Sequence, residues 1–277
     1  MLTAKLADNT VVNATDFQEM SQQTPIFCMD CRAPVHFVKE SNKVAFFKTS
    51  GKGASVHLEG CAFAAPMTFT ESVGKIMQLQ KEMISQVEPI VVRLSLNKLD
   101  PEYVAQDRGR PNEQEVTGRT LKVPNDGPKQ PKTLTTLKGL KKLFLTGEPD
   151  LLASVIISIN GFKIPISELI VDQQTAHTKV MKNLALDVPY FVHGTITKIV
   201  RLPRVWYFNM NEDNYYFTLV VFERYFKYFT FKDDELIGHP ILVMGKLKQN
   251  KFNEGKANAK EGTEIIIKSN DYLEFLD

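Results

Sequence analysis

Apolar and polar residues alternate with a period of two over 3–14 and again over 35–48, the pattern of short half-buried strands. From Thr70 to about Val87 the period lengthens. Val73, Ile76, Leu79, Met83, Ile84 and Val87 recur at helical spacing, Thr70 opens the run and Pro89 stops it. The following IVVRLSLNKL (90–99) fits a strand or a second helix, and with the preceding run it is taken as one helical segment, 69–99. Over 100–133 proline, glycine and charge are frequent and large apolar residues few, which predicts a linker or long exposed loop. Its basic residues (Arg108, Arg110, Arg119, Lys122, Lys129 and Lys132) read as a solvated surface ahead of a phosphate-binding arm. Residues 134–187 form a mixed middle region: a short helix over 134–147, a hairpin over 152–169 and a second helix over 171–186. Asn160-Gly161 between two apolar runs predicts a type I′ turn, which needs positive φ at both central positions. Pro165 then places the second strand at an edge or a bulge.

From Val188 onward the strand rhythm returns. Strand-like runs at 190–202, 205–210, 215–223, 239–251 and 263–276 are broken by the polar turn NEDN (211–214), an amphipathic stretch at 224–236 and the loop NEGKANAKEG. Five strands with one helical insert between the third and fourth is the order of an OB-fold, a five-stranded, partly open Greek-key β-barrel. Gly194 and Gly245 would ease its coiling. The layout of 188–277 resembles nucleic-acid-binding OB domains, without a specific motif to match.

Length allows two domains and a real core, since the chain has 277 residues. A composition 43% hydrophobic and 24% charged is that of an ordinary globular protein. No apolar run reaches the roughly 20 residues that span a bilayer, and no secretory h-region opens the chain, so no membrane partner is expected. A net charge of +2 neither demands nor excludes a nucleic-acid partner, and any phosphate binding must come from local patches.

All three cysteines lie between Cys28 and Cys61. Cys28, Cys31, His57 and Cys61 read as C-x2-C-x25-H-x3-C, two chelating hooks that can close on one tetrahedral Zn²⁺. Four protein ligands leave no open position, so the zinc is read as structural. A redox CxxC lacks the surrounding βαβ pattern. His36 is a rival ligand, but it sits in the alternating run PVHFVKE. Thiols gathered in one metal site suggest a reducing, cytoplasmic location and not a disulfide framework.

The runs MLTAKLADNTVVNA, TPIFCMDCRAPVHFVKE and KVAFFKTSGKGASVHLEGCAF resemble the N-terminal zinc-binding domain of the bacterial competence protein family CoiA. The resemblance covers less than a quarter of the chain and implies that Cys28, Cys31, His57 and Cys61 are the ligands. It also implies a setting in bacterial, phage or mobile-element DNA metabolism. Where the family often carries an HFAH-like run, this chain has AFFKTSGKGAS, and nothing downstream resembles the nuclease part of some relatives. The expected fold class is therefore α+β and multidomain: a zinc ribbon (1–68), the helical segment, the linker, the middle region and the C-terminal OB-fold barrel.

An OB barrel binds single strands on the face of its second and third strands, through aromatic stacking and phosphate-tracking cations. Those strands here hold Trp206, Tyr207, Phe208, Tyr215, Tyr216, Phe217 and Phe222, and alternation lets only half of them face one way. Aromatic residues also fill barrel cores. The nominated nucleic-acid set is Lys198, Arg201, Arg204, Trp206, Phe208, Tyr216, Lys246 and Lys248, with single-stranded DNA as the expected partner. Acidic residues Glu212, Asp213, Asp233, Asp234 and Glu235 offset these cations. No GxSxG, HExxH or P-loop is present, and the acid pairs in FKDDE and EPD lack a lysine-bearing partner strand, so no enzyme is expected. Two other readings stand behind nucleic-acid binding: an assembly or adaptor protein that binds a protein partner, and a metal-dependent nuclease.

Overall fold

The computed structural model describes residues 1–17, 24–39, 44–83, 85–95, 99–103, 133–210, 216–252 and 260–277. Most of the expected linker, the NEDN turn with Tyr215, and most of the NEGKANAKEG loop lie outside the described residues. The chain is a mixed α+β structure with several sheets.

Five short strands build the first sheet: β1 (Thr3–Leu6), β2 (Val11–Asn13), β3 (Ile26–Phe27), β4 (Pro34–Val38) and β5 (Phe46–Lys48), in the order β2-β1-β3-β4-β5. Helix α1 (Ala14–Phe17) turns Phe17 inward, where its ring meets Phe37 at 5.6 Å and Phe47 at 5.5 Å. Those rings, with Ala4, Val12 and Val35, form a separate small core that also takes in Cys28 and Cys61.

Helix α2 (Phe69–Met83) buries Phe69, Val73, Ile76, Leu79 and Met83, the stripe that the helical spacing demanded. Its cap is Thr68, two residues before the expected Thr70. Thr68 and Glu71 form a reciprocal box in which the Glu71 amide donates to Thr68 Oγ1 (3.4 Å) and the Thr68 amide to Glu71 Oε2 (2.9 Å). The expectation that 69–99 is helical throughout is wrong. Ile90–Leu94 is strand β6, because its β-branched run buries alternate residues, Val92 and Leu94, against helices on one side.

Next come β7 (Thr133–Leu134), α3 (Leu137–Thr146), α4 (Pro149–Ala153), β8 (Val155–Ile159), β9 (Phe162–Pro165) and α5 (Ile166–Leu169). The sheet order is β7-β6-β8-β9, with β6 parallel to β7 and β8. Asn160 (φ 48°) and Gly161 (φ 84°) make the two-residue turn with both φ positive, and Pro165 ends the edge strand β9.

The C-terminal part adds β10 (Ile170–Asp172), α6 (Gln173–Met181), β11 (Pro189–Thr195), β12 (Lys198–Arg201), β13 (Val205–Asn209) and β14 (Tyr216–Phe222). A 3-10 turn (Glu223–Tyr228) and the single-turn α7 (Asp233–Leu236) follow, then β15 (Pro240–Lys246), β16 (Lys248–Phe252), β17 (Lys260–Ile266) and β18 (Leu273–Phe275). The amphipathic stretch 224–236 is therefore two short turns and not one helix. One sheet runs β12-β13-β14-β17-β16, with β14 and β17 parallel, and curls into a half-barrel; a second runs β10-β11-β15-β18. Gly194 and Gly245 are small for close approach: a Cβ on Gly245 would strike the Ile265 side chain, and one on Gly194 would strike Gln173 and Met210.

The main hydrophobic cluster runs without a break from α2 through β6 and β8 to the inner faces of the half-barrel, so the middle and C-terminal parts share one core. Asp150 ties the first sheet to this body. Its buried carboxylate accepts the Leu2 amide (2.6 Å), the Thr3 amide (2.7 Å) and the Thr3 hydroxyl (3.0 Å). Among the described residues no helix is long and apolar enough to cross a membrane.

Candidate functional site

Two hooks position the first candidate site. After β3 the Cys28 amide donates to the Ala33 carbonyl (2.8 Å) and the Arg32 amide to the Cys28 carbonyl (3.2 Å). Arg32 takes φ 61° to close that turn, which leaves the Cys28 and Cys31 thiols on one side. In the second hook Gly60 (φ 73°) lets the Cys61 amide donate back to the Leu58 carbonyl at 3.2 Å, which sets Cys61 beside His57. The four donor atoms lie within 4.8 Å of one another. Cys28 and Cys61 sulfurs are 3.7 Å apart, and His57 Nδ1 is 3.5 Å from the sulfurs of both Cys31 and Cys61.

A tetrahedral zinc with bonds of about 2.3 Å to sulfur and about 2.0 Å to nitrogen implies S···S edges of about 3.8 Å and S···N edges of about 3.5 Å. The three edges measured above have those lengths, so the donor set is consistent with a tetrahedral zinc site. His36 pairs across the sheet with Lys48 and is not in the cluster, whereas His57 is. The Phe63 amide donates to Cys61 Sγ (3.5 Å), a hydrogen bond of the kind that holds a thiolate in place. The Cys28 and Cys61 thiols are hydrogen-bonded to one another. The hydrogen bond from Cys28 draws Cys61 down to about 5, while the same bond and burial push Cys28 up.

Between the hooks, Asp30 joins the knuckle to the body: it accepts the Ala62 amide (2.7 Å) and pairs with Lys75 of α2 at 2.9 Å. Met29, only 1% exposed, belongs to the main core and not to the small one. The loop GKGAS folds as a tight turn, with the Gly51 amide on the Ser55 carbonyl (2.9 Å).

The second candidate site is the sheet β12-β13-β14-β17-β16, whose pairing register assigns its residues to two faces, the outer one being covered at Val220. Directly opposed residues share a face. Ile199, Phe208 and Leu219 line up across three strands, as do Arg201, Trp206 and Val221; with Phe217 and Ile265 the apolar residues of these rows face the core, while Arg201 is exposed at the end of its strand. The opposite face carries Val200, Tyr207, Val220 and Ile266 in one row, Lys198, Asn209, Thr218, Glu264 and Lys248 in the next, and Tyr216 beside Gly262 and Asn250 in a third. Phe222 extends it, and Tyr216 and Phe222 are exposed.

Phe208 is completely buried, so it is a core residue and not a base-stacking one. Trp206 is sandwiched. The Phe226 ring lies parallel to it at 3.9 Å, and the Arg201 guanidinium sits 4.0 Å from its centroid, which leaves the guanidinium only the opposite side. Arg201 is itself held by Asp233 (2.7 Å) and the Phe231 carbonyl (3.1 Å). Lys246 pairs with Asp187 at 2.7 Å. Of the nominated residues, Lys198, Tyr216 and Lys248 share the outer face, and Arg204 is exposed in the turn between β12 and β13. The nominated set omitted Tyr207, Phe222, Asn209 and Glu264. The signal for the two aromatics was the alternation itself: in VWYFNM only the residues between Trp206, Phe208 and Met210 can face outward.

The acid pairs hold no metal arrangement. Asp150 is consumed by the bonds to Leu2 and Thr3, and Asp233 by Arg201, while Glu235 accepts the Lys232 amide (2.8 Å) at the start of α7.

No family model matches the chain and no curated protein matches it, so the likeness to CoiA has no family match behind it. Solved structures give partial likenesses. An OBody bound to hen egg-white lysozyme is 14% identical over 36% of this chain and 91% of its own, at a TM-score of 0.25. The Plasmodium falciparum SSB complex with ssDNA is 22% identical over 34% of this chain and 96% of its own, at 0.23. Aspartyl tRNA synthetase from Entamoeba histolytica is 10% identical over 36% of this chain and 21% of its own, at 0.24. The faces and distances above are read from this chain alone.

Proposed function

We propose that the chain binds single-stranded nucleic acid, DNA first, on the outer face of β12, β13 and β14. The observation that carries this is the company kept on that face: Tyr207, Tyr216 and Phe222 beside Lys198 and Lys248, with Arg204 at its rim. Aromatic faces stack on bases of any identity, at about 1–3 kcal/mol per base, and cations follow the phosphates. The barrel would be of the OB type. β11 leads into β12 and β15 into β16, so the two sheets would close as five long strands, the first pairing with both the second and the fourth and the third lying parallel to the fifth. The knuckle would hold zinc as a closed structural site, supplying folding energy and no chemistry, and the protein would not be an enzyme.

The test is fluorescence anisotropy of labelled single- and double-stranded oligonucleotides at two salt concentrations. Salt-sensitive binding that prefers the single strand and weakens in Tyr207→Ala supports the proposal; absence of binding at low salt overturns it. A protein partner is the second reading, favoured by one observation: Val56 and Leu58, either side of the ligand His57, are 47% and 62% exposed. Salt-tolerant co-purification that is lost in Leu58→Ser would support it.

A further inference from the structure

The outer face carries a polar row that stacking and phosphate contacts leave unused. Asn209, Thr218 and Glu264 stand directly opposite one another on three neighbouring strands, between the row of Tyr207 and that of Tyr216. Their orientation follows from their neighbours: Phe208, Phe217 and Ile265, each adjacent in sequence, are fully buried. The Thr218 hydroxyl donates to Asn209 Oδ1 at 2.9 Å. That bond occupies the amide oxygen and leaves Asn209 Nδ2 as an outward donor. The Glu264 carboxylate has no hydrogen-bond partner among the described residues; Lys248, opposite on β16, acts on it through its charge.

A half-buried acid in the middle of a strand-binding face is a cost if phosphate passes over it, since like charges repel. It becomes an asset only if a base edge that donates hydrogen bonds is placed there. We infer that the Asn209–Thr218–Glu264 row reads the edge of a base whose exocyclic amino group adjoins an acceptor ring nitrogen, cytosine or adenine, and discriminates against thymine and uracil. This rests on the binding face proposed above. The chemistry is complementary. An amino group offers two N–H donors, for which Glu264 and the Thr218 oxygen are acceptors, and the adjoining ring nitrogen accepts from Asn209 Nδ2. Thymine presents a carbonyl oxygen where the amino group would be, and two acceptors then face each other. Tyr207 and Tyr216 lie on either side of the row and would hold the base over it by stacking.

The experiment compares dC15 with dT15, matched in length and charge, by anisotropy on the full chain. The chain is expected to bind dC15 tighter by roughly five- to a hundredfold, the range of a good two-point base contact. Glu264→Gln should bring that ratio toward one, chiefly by raising dT15 affinity, because an amide can donate to the thymine carbonyl and no longer repels the strand. Thr218→Val keeps the shape and loses the oxygen, and should weaken dC15 while leaving dT15 unchanged. Equal binding of dC15 and dT15 by the unaltered chain, or a ratio untouched in both variants, overturns the base-reading row and leaves the binding face standing. Failure to bind either oligonucleotide overturns the face and the row together.

Discussion

Asp150→Ala removes the hub between the first sheet and the rest of the chain, and its cost can be worked from the bonds it breaks. The Thr3 amide, on a residue 3% exposed, loses its acceptor at 2.7 Å and finds no water, a penalty of about 2 kcal/mol. The Leu2 amide loses a 2.6 Å bond but is half-buried, so partial hydration limits its loss to about 1 kcal/mol. The Thr3 hydroxyl has the longest of the three bonds, at 3.0 Å, and adds under about 1 kcal/mol. Asp150→Ala should therefore lower the unfolding free energy by about 3 kcal/mol, while Asp150→Asn, which keeps an acceptor where three donors converge, should cost about 1 kcal/mol. Equilibrium urea unfolding of the zinc-loaded protein reads both values, with far-UV circular dichroism for the whole chain and Trp206 fluorescence for the half-barrel. Because the middle and C-terminal parts share one core, the α2–β8 body and the half-barrel should move together. Alanine and asparagine variants equal within about 0.5 kcal/mol would refute the reasoning, since burial of the donors is what separates them.

Cys31→Ser or chelation should unfold the first sheet and loosen the start of α2, because Asp30–Lys75 and Met29 carry the knuckle into the main core; a metal-free protein with unchanged melting would contradict this. Tyr207→Ala should weaken single-strand binding by about 1–3 kcal/mol with little change in stability, whereas Trp206→Ala should destabilise the fold by opening the stack on Phe226; the reverse assignment of effects would show that the faces are misread. Burial holds both His193 and His177 below the ordinary histidine range, against the nearby charges of Asp172 and Glu261 respectively. The unfolded chain then binds more protons than the folded one just below pH 6.5, so stability should fall on acidification through that point, by at most about 1.4 kcal/mol per pH unit for each histidine. His193→Gln should flatten the slope in a pH series of urea midpoints, and a stability that rises on acidification would sink the argument.

The Cys28–Cys31–His57–Cys61 cluster was legible from spacing because donor placement is local: a C-x2-C turn and an H-x3-C turn each fix two donors, and only the closing of one on the other is tertiary. Helix α2 and the Asn160-Gly161 hairpin were legible for the same reason, since each is set by residues within a few positions. β6 was not. Val91 and Val92 have no local period, and the strand exists because β7 and β8 offer parallel edges whose paired residues lie forty and sixty-five positions away in sequence. The shared core of the middle and C-terminal parts was equally out of reach, because no composition change marks whether two neighbouring elements pack together.

The outer face shows where reading types in place of positions goes wrong. Trp206 is the largest aromatic of its strand and lies two residues after Arg204, which favours it as a ligand on residue type alone. Yet the period of a strand is two, and one secure assignment decides the rest. Once Phe208 is placed in the core, Trp206 and Met210 must follow it inward, and Val205, Tyr207 and Asn209 must face out. On β14 the same logic turns Phe217, Leu219 and Val221 inward and Tyr216, Thr218 and Phe222 outward. Arginine does not rescue the tryptophan: Arg201 stacks on it and is pinned by Asp233, so the cation serves the fold. The stacking and polar groups left for a ligand are those that alternation selects, and they stand in consecutive rows along β13 and β14 at the spacing of strand residues. On the proposed reading, a face built that way would present rings and a donor–acceptor row to the same strand, which is why stacking at Tyr207 and discrimination at Glu264 should be lost by separate substitutions.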